Sequence, residues 1–127
     1  NRDIDWSHRL QLIDAATEQH WRQGRQIEHD GLRRTLETNY GELKDNDAVI
    51  DAAIRFVGHT RAPLVLIPLE DLLGCDEQPN LPGTTSGHPN WRRRFTRPVT
   101  ELLDDEDAAR RLELLAQARE QAWERDR

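Results

Sequence analysis

The sequence predicts a mainly α-helical chain that carries one strand. Three observations lead there. Helix-forming segments dominate both ends, over 1–60 and 98–127. Leu64-Val65-Leu66-Ile67 is the one continuous apolar, β-branched-rich run, bracketed by Pro63 and Pro68. A long loop without helical or strand period, 75–97, follows it. Helix, strand, functional loop and helix in that order match the last unit of a (β/α)8 barrel.

Each element has its own grounds. Residues 3–13 form a short helix through Ile4, Leu10, Leu12 and Ile13. From Asp14 to Thr38 helix formers prevail, with Ala15, Ala16, Trp21, Ile27, Leu32 and Leu36 as a broken apolar stripe. Gly24 and Gly31 each cost about 1 kcal/mol against alanine in a helix interior, so one of them is expected to end or kink it. Asn39 to Asp47 reads as a loop. Over 47–58, Ala48, Val49, Ala52, Ala53, Phe56 and Val57 recur at helical spacing. Asp45 or Asn46 is its natural N-cap and Gly58 its stop.

The run over 63–68 reads as a strand buried on both faces. Glu70 to Leu73 suits one helical turn. Pro98 or Thr100 opens the last helical region, which Asp104–Asp107 splits in two. Its apolar side is Leu102, Leu103, Ala108, Leu112, Leu115, Ala116, Ala122 and Trp123. A lone buried strand leaves its backbone groups unpaired. Either a second copy pairs with it, so that the chain self-associates there, or its neighbours lie elsewhere in a longer protein.

Composition narrows the function classes. The chain has 127 residues, a formal net charge of −6, 35% apolar and 33% charged residues. The acidic balance argues against nucleic acid as a partner. No apolar run approaches the roughly 20 residues that span a membrane. The single cysteine, Cys75, excludes an internal disulfide and fits a reducing, cytoplasmic compartment. Methionine is absent, even at the first position, which suggests a fragment or a processed chain, the fragment being the simpler reading. Histidines 8, 20, 29, 59 and 88 show no metal-ligand spacing. Neither a phosphate loop nor a Gly-x-Ser-x-Gly motif occurs.

The chemistry-bearing stretch is Asn80 to Phe95, NLPGTTSGHPNWRRRF. A loop this long usually holds or touches something. Together with the preceding PLVLIPLEDLLG it resembles the C-terminal signature of the 4-α-glucanotransferases, the amylomaltases or disproportionating enzymes of glycoside hydrolase family 77. That pattern is an apolar strand, a D-L-L-G-like turn, N-x-P-G-[TR], a spacer and N-W-x-x-R. Here its parts are Leu64–Ile67, Asp71–Gly74, Asn80–Thr84 and Asn90–Arg94. The opening NRDIDWSHRL is similar to the segment that follows the family's active-site His-Asp.

The resemblance implies a (β/α)8-barrel transferase that passes α-1,4-glucan between maltooligosaccharides with retention, through two carboxylates. It implies no cofactor. The family's catalytic carboxylates lie upstream of the matched segment, so no catalytic residue is expected in this chain, and alone it should be inactive. By resemblance Asn80 is the first sugar contact, its amide offering donors and an acceptor. Pro82 and Gly83 shape the turn that presents it. Asn90 and Trp91 are weaker sugar contacts.

Plainer readings stand beside these. Asn80 also suits a turn-stabilising role. For Trp91, burial as a packing anchor is favoured over stacking on sugar. Asp71 is expected to cap the D-L-L-G turn rather than touch sugar. Arg92, Arg93, Arg94 and Arg97 are expected to pair in part with Asp104–Asp107 or with neighbouring barrel elements. Arg92-Arg93-Arg94 departs from the arginine–aromatic alternation of many relatives. The rival functions are a non-catalytic helical interaction module and a glucan-binding piece using Asn80 and Trp91.

Overall fold

In the computed structural model, residues 1–124 are described. Among these described residues six helices follow one another: α1 (Arg2–Arg9), α2 (Ala15–Tyr40), α3 (Asn46–Gly58), α4 (Leu69–Leu72), α5 (Val99–Leu102) and α6 (Glu106–Glu124). The chain divides into two units. One comprises Asn1–Leu32 and Asp76–Thr96. The other comprises Arg33–Cys75 and the chain from Arg97 on. The division falls inside α2. The helical expectation over 98–127 runs on to 125–127, which lie outside the described residues.

In the first unit, α1 begins with Asp3 and Asp5 and ends with His8 and Arg9. Both pairs favour the helix dipole. Ile4 is fully buried. Asp14 starts α2, its carboxylate accepting from the Thr17 N–H at 2.8 Å. Arginines on α2 reach acids on α1: Arg25 meets Asp3 at 2.8 Å, and Arg22 meets Asp5. Neither Gly24 nor Gly31 ends α2, which is one unbroken helix. A cost of about 1 kcal/mol per glycine is small against the other residues of a 26-residue helix.

The second unit holds two buried clusters. Leu36 of α2, Leu43 and Ala52 of α3 form one, with Tyr40, Ala48, Val49 and Ala53 around them. Ile54, Leu72 and Ala108 form the other, with Ile50, Ile67, Leu69, Leu73 and Leu115. Helix α3 therefore buries two sides. Its alanines face one cluster and Ile50 and Ile54 face the other. The expected stripe missed these isoleucines and included Phe56 and Val57, which are open to solvent. Asp45 caps α3, accepting from the Ala48 N–H at 2.8 Å.

The expected strand is not formed. Among the described residues there is no strand at all. Residues 64–67 carry no regular secondary structure, and of the four only Ile67 packs against a core cluster. Val65 and Ile67 are half-buried, while Leu64 and Leu66 are 70% and 79% exposed. The physical reason is the backbone. An apolar run favours burial, but a strand needs a neighbouring ladder to take its N–H and C=O groups, and none is present. Pro63 and Pro68 contribute no N–H. Without a strand, the expected self-association through one loses its basis.

Two further expectations change. Pro68, not Asp71, is the N-cap of α4, and no side chain caps that turn. Asp71 lies exposed within it. Asp105 separates α5 from α6, accepting from the Asp107 and Ala108 N–H groups at 3.1 and 3.3 Å. On α6 the deeply buried residues are Ala108, Arg111 and Ala118. Leu103, Leu112 and Trp123 are open instead. Among the described residues, no helix is long and apolar enough to cross a membrane.

Candidate functional site

The loop over 76–96 lies in the first unit, and its own hydrogen bonds give it shape. Leu81-Pro82-Gly83-Thr84 is a tight turn, closed by the Thr84 N–H on the Leu81 carbonyl at 3.3 Å. Pro82 suits its second position. Gly83, at φ +82°, fills the third, where a side chain would be strained. This is the signature of a type II turn. The Thr84 hydroxyl also donates to the Leu81 carbonyl, at 2.8 Å.

Asn90 fastens this turn from the other end of the loop. Its Nδ2 donates to the Thr84 carbonyl at 3.0 Å and to Thr84 Oγ1 at 2.8 Å. Its Oδ1 accepts from the Leu81 N–H at 2.8 Å and lies 2.7 Å from His88 Nδ1. An amide oxygen can only accept, so His88 carries its proton on Nδ1. His88 is buried and meets Trp6 edge to face, ring centroids 5.2 Å apart. Asn90 is thus fully used inside the loop and has no spare donor for a sugar.

Asn80 differs. It is half-buried, and its side chain has no hydrogen-bond partner among the described residues. Its backbone is held on both sides. Trp91 N–H donates to the Pro79 carbonyl at 2.8 Å, and Leu81 N–H is bound by Asn90. Trp91 is 74% exposed. The packing-anchor reading of Trp91 is therefore corrected: Asn90 pins the loop and the indole stands in solvent. The outcome was hidden from the sequence because both residues satisfy the same motif, and only hydrogen-bond geometry separates them.

A shallow depression, with room for about one water, adjoins the loop, lined in part by Asp3, Trp6, Glu77, Leu81, His88 and Arg93. The carboxylates around it are engaged. Asp3 pairs with Arg25, Asp76 with Arg2 at 2.9 Å, and Glu77 with Arg2 at 2.6 Å and with Arg93. Burial alone would raise the Asp3 pKa. Hydrogen bonding and charge from Arg25, with the Ile4 N–H, bring it below its ordinary value. A carboxylate held ionised in this way is a poor proton donor. Arg97 pairs with Asp105 at 2.8 Å, as expected for part of the arginine cluster.

Sequence reading passed over Thr84, Leu81 and His88, the partners of Asn90. The threonine directly after Pro-Gly was the one available signal, since hydroxyls commonly close such turns. No group of three or more metal-ligating side chains gathers among the described residues.

Comparison with known proteins adds an independent finding. The family model described as 4-alpha-glucanotransferase matches residues 13–100. Curated 4-alpha-glucanotransferases of Mycobacterium bovis and of Mycobacterium tuberculosis, in two strains of the latter, are 36% identical to the chain over 89 residues. Those alignments take in 68% of this chain and 12% of each relative, so the chain spans about an eighth of their length. No solved structure matches it.

Proposed function

The chain belongs to the 4-alpha-glucanotransferase family, and from that premise we propose that it is the glucan-facing C-terminal segment of such an enzyme. The enzyme moves α-1,4-glucan segments between maltooligosaccharides by retention, in a cytoplasmic setting. In this reading Asn80 hydrogen-bonds a glucose hydroxyl. The observation that carries it is the contrast between two asparagines of one motif. Asn90 spends all its hydrogen-bonding capacity holding the loop, while Asn80 is held by its backbone and keeps its amide unused.

The catalytic carboxylates belong elsewhere in the enzyme. In support, the acids around the loop are bound to arginines, whereas a retaining pair needs one carboxylate unpaired as nucleophile and a second able to carry a proton. Pro82 and Gly83 build the turn that presents Asn80.

The test is an assay of maltotriose disproportionation. The enzyme carrying this segment should transfer glucan. Asn80→Ala should lower kcat/KM about tenfold, the effect of losing one sugar hydrogen bond, with an unchanged unfolding midpoint. The 127-residue chain alone should show no transfer. Transfer by the chain alone would overturn the placement of the carboxylates. Full activity in Asn80→Ala would overturn the role of Asn80.

A further inference from the structure

His88 is a buried histidine whose ring the loop's proposed role leaves without a task. Contacts with the N-terminal segment seat it. Gly87, at φ +79°, runs so close to Leu10 that a Cβ would lie 2.7 Å from Leu10 Cδ2. The next residue sets its imidazole edge to face on Trp6, and Trp6 carries the Arg9 guanidinium over its ring at 4.9 Å. From this seat His88 holds Asn90 twice. Its carbonyl accepts from the Asn90 N–H at 2.8 Å, and its Nδ1 lies 2.7 Å from Asn90 Oδ1. Two backbone groups fix how the Asn90 amide is turned. The Leu81 N–H can only donate and the Thr84 carbonyl can only accept, so Oδ1 faces Leu81 and Nδ2 faces Thr84. Oδ1 therefore takes two donors at once, His88 Nδ1–H and the Leu81 N–H. Leu81 is the residue directly after Asn80.

We propose that His88 is a positioning residue, which acts through Asn90 and the Leu81 N–H to fix the backbone that presents the Asn80 amide to an α-1,4-glucan. The inference rests on the reading of Asn80 as a glucan contact and adds to it a residue that touches no sugar. Without the imidazole, Asn90 Oδ1 keeps only the Leu81 N–H, and the amide can turn about its own side chain. The turn Leu81–Thr84 then loses its fixed register against residues 88–90. Binding groups tolerate little displacement, since a misplacement of about 1 Å can cost up to about 10²-fold in rate. The link also requires one tautomer. The ring must carry its proton on Nδ1, because an amide oxygen offers nothing to donate.

A double-mutant cycle in the enzyme carrying this segment tests this, with maltotriose disproportionation as the assay. His88→Leu keeps apolar volume but no donor, and should lower kcat/KM about three- to fivefold. Combined with Asn80→Ala it should fall no further than Asn80→Ala alone, about tenfold, because His88 acts only by placing that amide. A merely structural histidine would multiply the two losses to about thirty- to fiftyfold. His88→Asn puts an N–H₂ at the δ position of the side chain, where Nδ1 stands, and should return to within about twofold of wild type. His88→Gln puts its N–H₂ one atom further out and should behave like His88→Leu. Should His88→Leu fail to fold, the contrast between His88→Asn and His88→Gln decides the same point. Multiplying losses, or equal activity of His88→Asn and His88→Gln, would overturn the inference. So would a wild-type level in His88→Leu with Asn80→Ala impaired, which leaves the glucan contact standing. Full activity in Asn80→Ala would overturn both.

Discussion

Arg111 Nη1 donates to the main-chain carbonyl of Leu72 at 2.7 Å. The same guanidinium reaches Asp51 through Nε at 3.1 Å and Asp47 through Nη2 at 2.8 Å. One side chain, 1% exposed, thus joins the end of α4 to two acids of α3. The planar fork of arginine suits this, since it makes several bonds in fixed directions at once. Gly74, at φ +66°, completes the arrangement. A Cβ there would lie 3.3 Å from Arg111 Nη1, so glycine serves both the left-handed turn and the close approach.

Arg111→Ala should cost the chain about 2–4 kcal/mol, because the Leu72 carbonyl would lose its donor, Asp51 would keep only Arg110, and the volume of a buried side chain would be left empty. Urea denaturation measures it. Arg111→Met, which fills the volume without charge, combined with Asp51→Leu should recover a large part of the loss. Equal stability of Arg111→Ala and wild type would show that the clamp is idle.

Asn90→Ala should loosen the loop. Four hydrogen bonds disappear, and a net loss of about 1–2 kcal/mol is expected. Asn90→Asp keeps the acceptor for Leu81 N–H but cannot donate to Thr84, and two oxygens then face each other. Limited proteolysis across 79–91 is the readout. Both variants should be cut faster than wild type, while Asn80→Ala should not. An Asn90→Asp loop as resistant as wild type would contradict the fastening role.

Two helical glycines should respond to alanine in opposite directions. A Cβ on Gly24 meets nothing within 4 Å, so Gly24→Ala should stabilise α2 by up to about 1 kcal/mol. A Cβ on Gly58 would lie 2.7 Å from the Ala118 Cβ, which is fixed to its own backbone. Gly58→Ala should therefore destabilise by about 1–3 kcal/mol despite the better helix propensity. Thermal unfolding of the two variants settles both signs.

Acid should weaken the first unit through two carboxylates. Thr17 hydrogen bonds hold the Asp14 pKa below its ordinary value of 3.8, and Arg25 overcomes the burial of Asp3 to do the same there. A group with a lowered folded pKa stabilises above its unfolded value and loses that contribution as pH falls through the folded one. These two contributions should be constant from pH 7 to about 5 and fade below about 4. In circular dichroism melts, the gap between wild type and Asp3→Asn should close as pH is lowered through that range. Asp14→Asn keeps a capping side chain but does not titrate, so its melts should depend less on acid. A gap that widens on acidification would reverse the assignment.

Much of the helical framework was legible because its signals are local. Asp45 and Asp14 sit where capping aspartates belong, and the acidic run 104–107 separates two helices as acids and turn formers do. The motif around Asn80 was legible as rare residue chemistry and led to the family. Two readings went astray, and one buried charge passed unnoticed, because they depend on partners distant in sequence. Leu64–Ile67 has strand composition but no ladder. Arg111 looks like one more charged residue of α6, yet it is more deeply buried than Leu112 beside it. Trp91 belongs inside by residue type and stands outside in the structure.

The sequence by itself determined the helices, the long loop and the family, since periodicity, caps and a rare motif are properties of neighbouring residues. Tertiary structure alone decided which asparagine fastens the loop and which keeps its amide unused, where the buried charge sits, and which way the indole faces. The reason is physical. Burial and hydrogen-bond satisfaction are set by what lies opposite a side chain, and residues 90, 84 and 81, like 111, 72 and 51, become opposite one another only when the chain has folded.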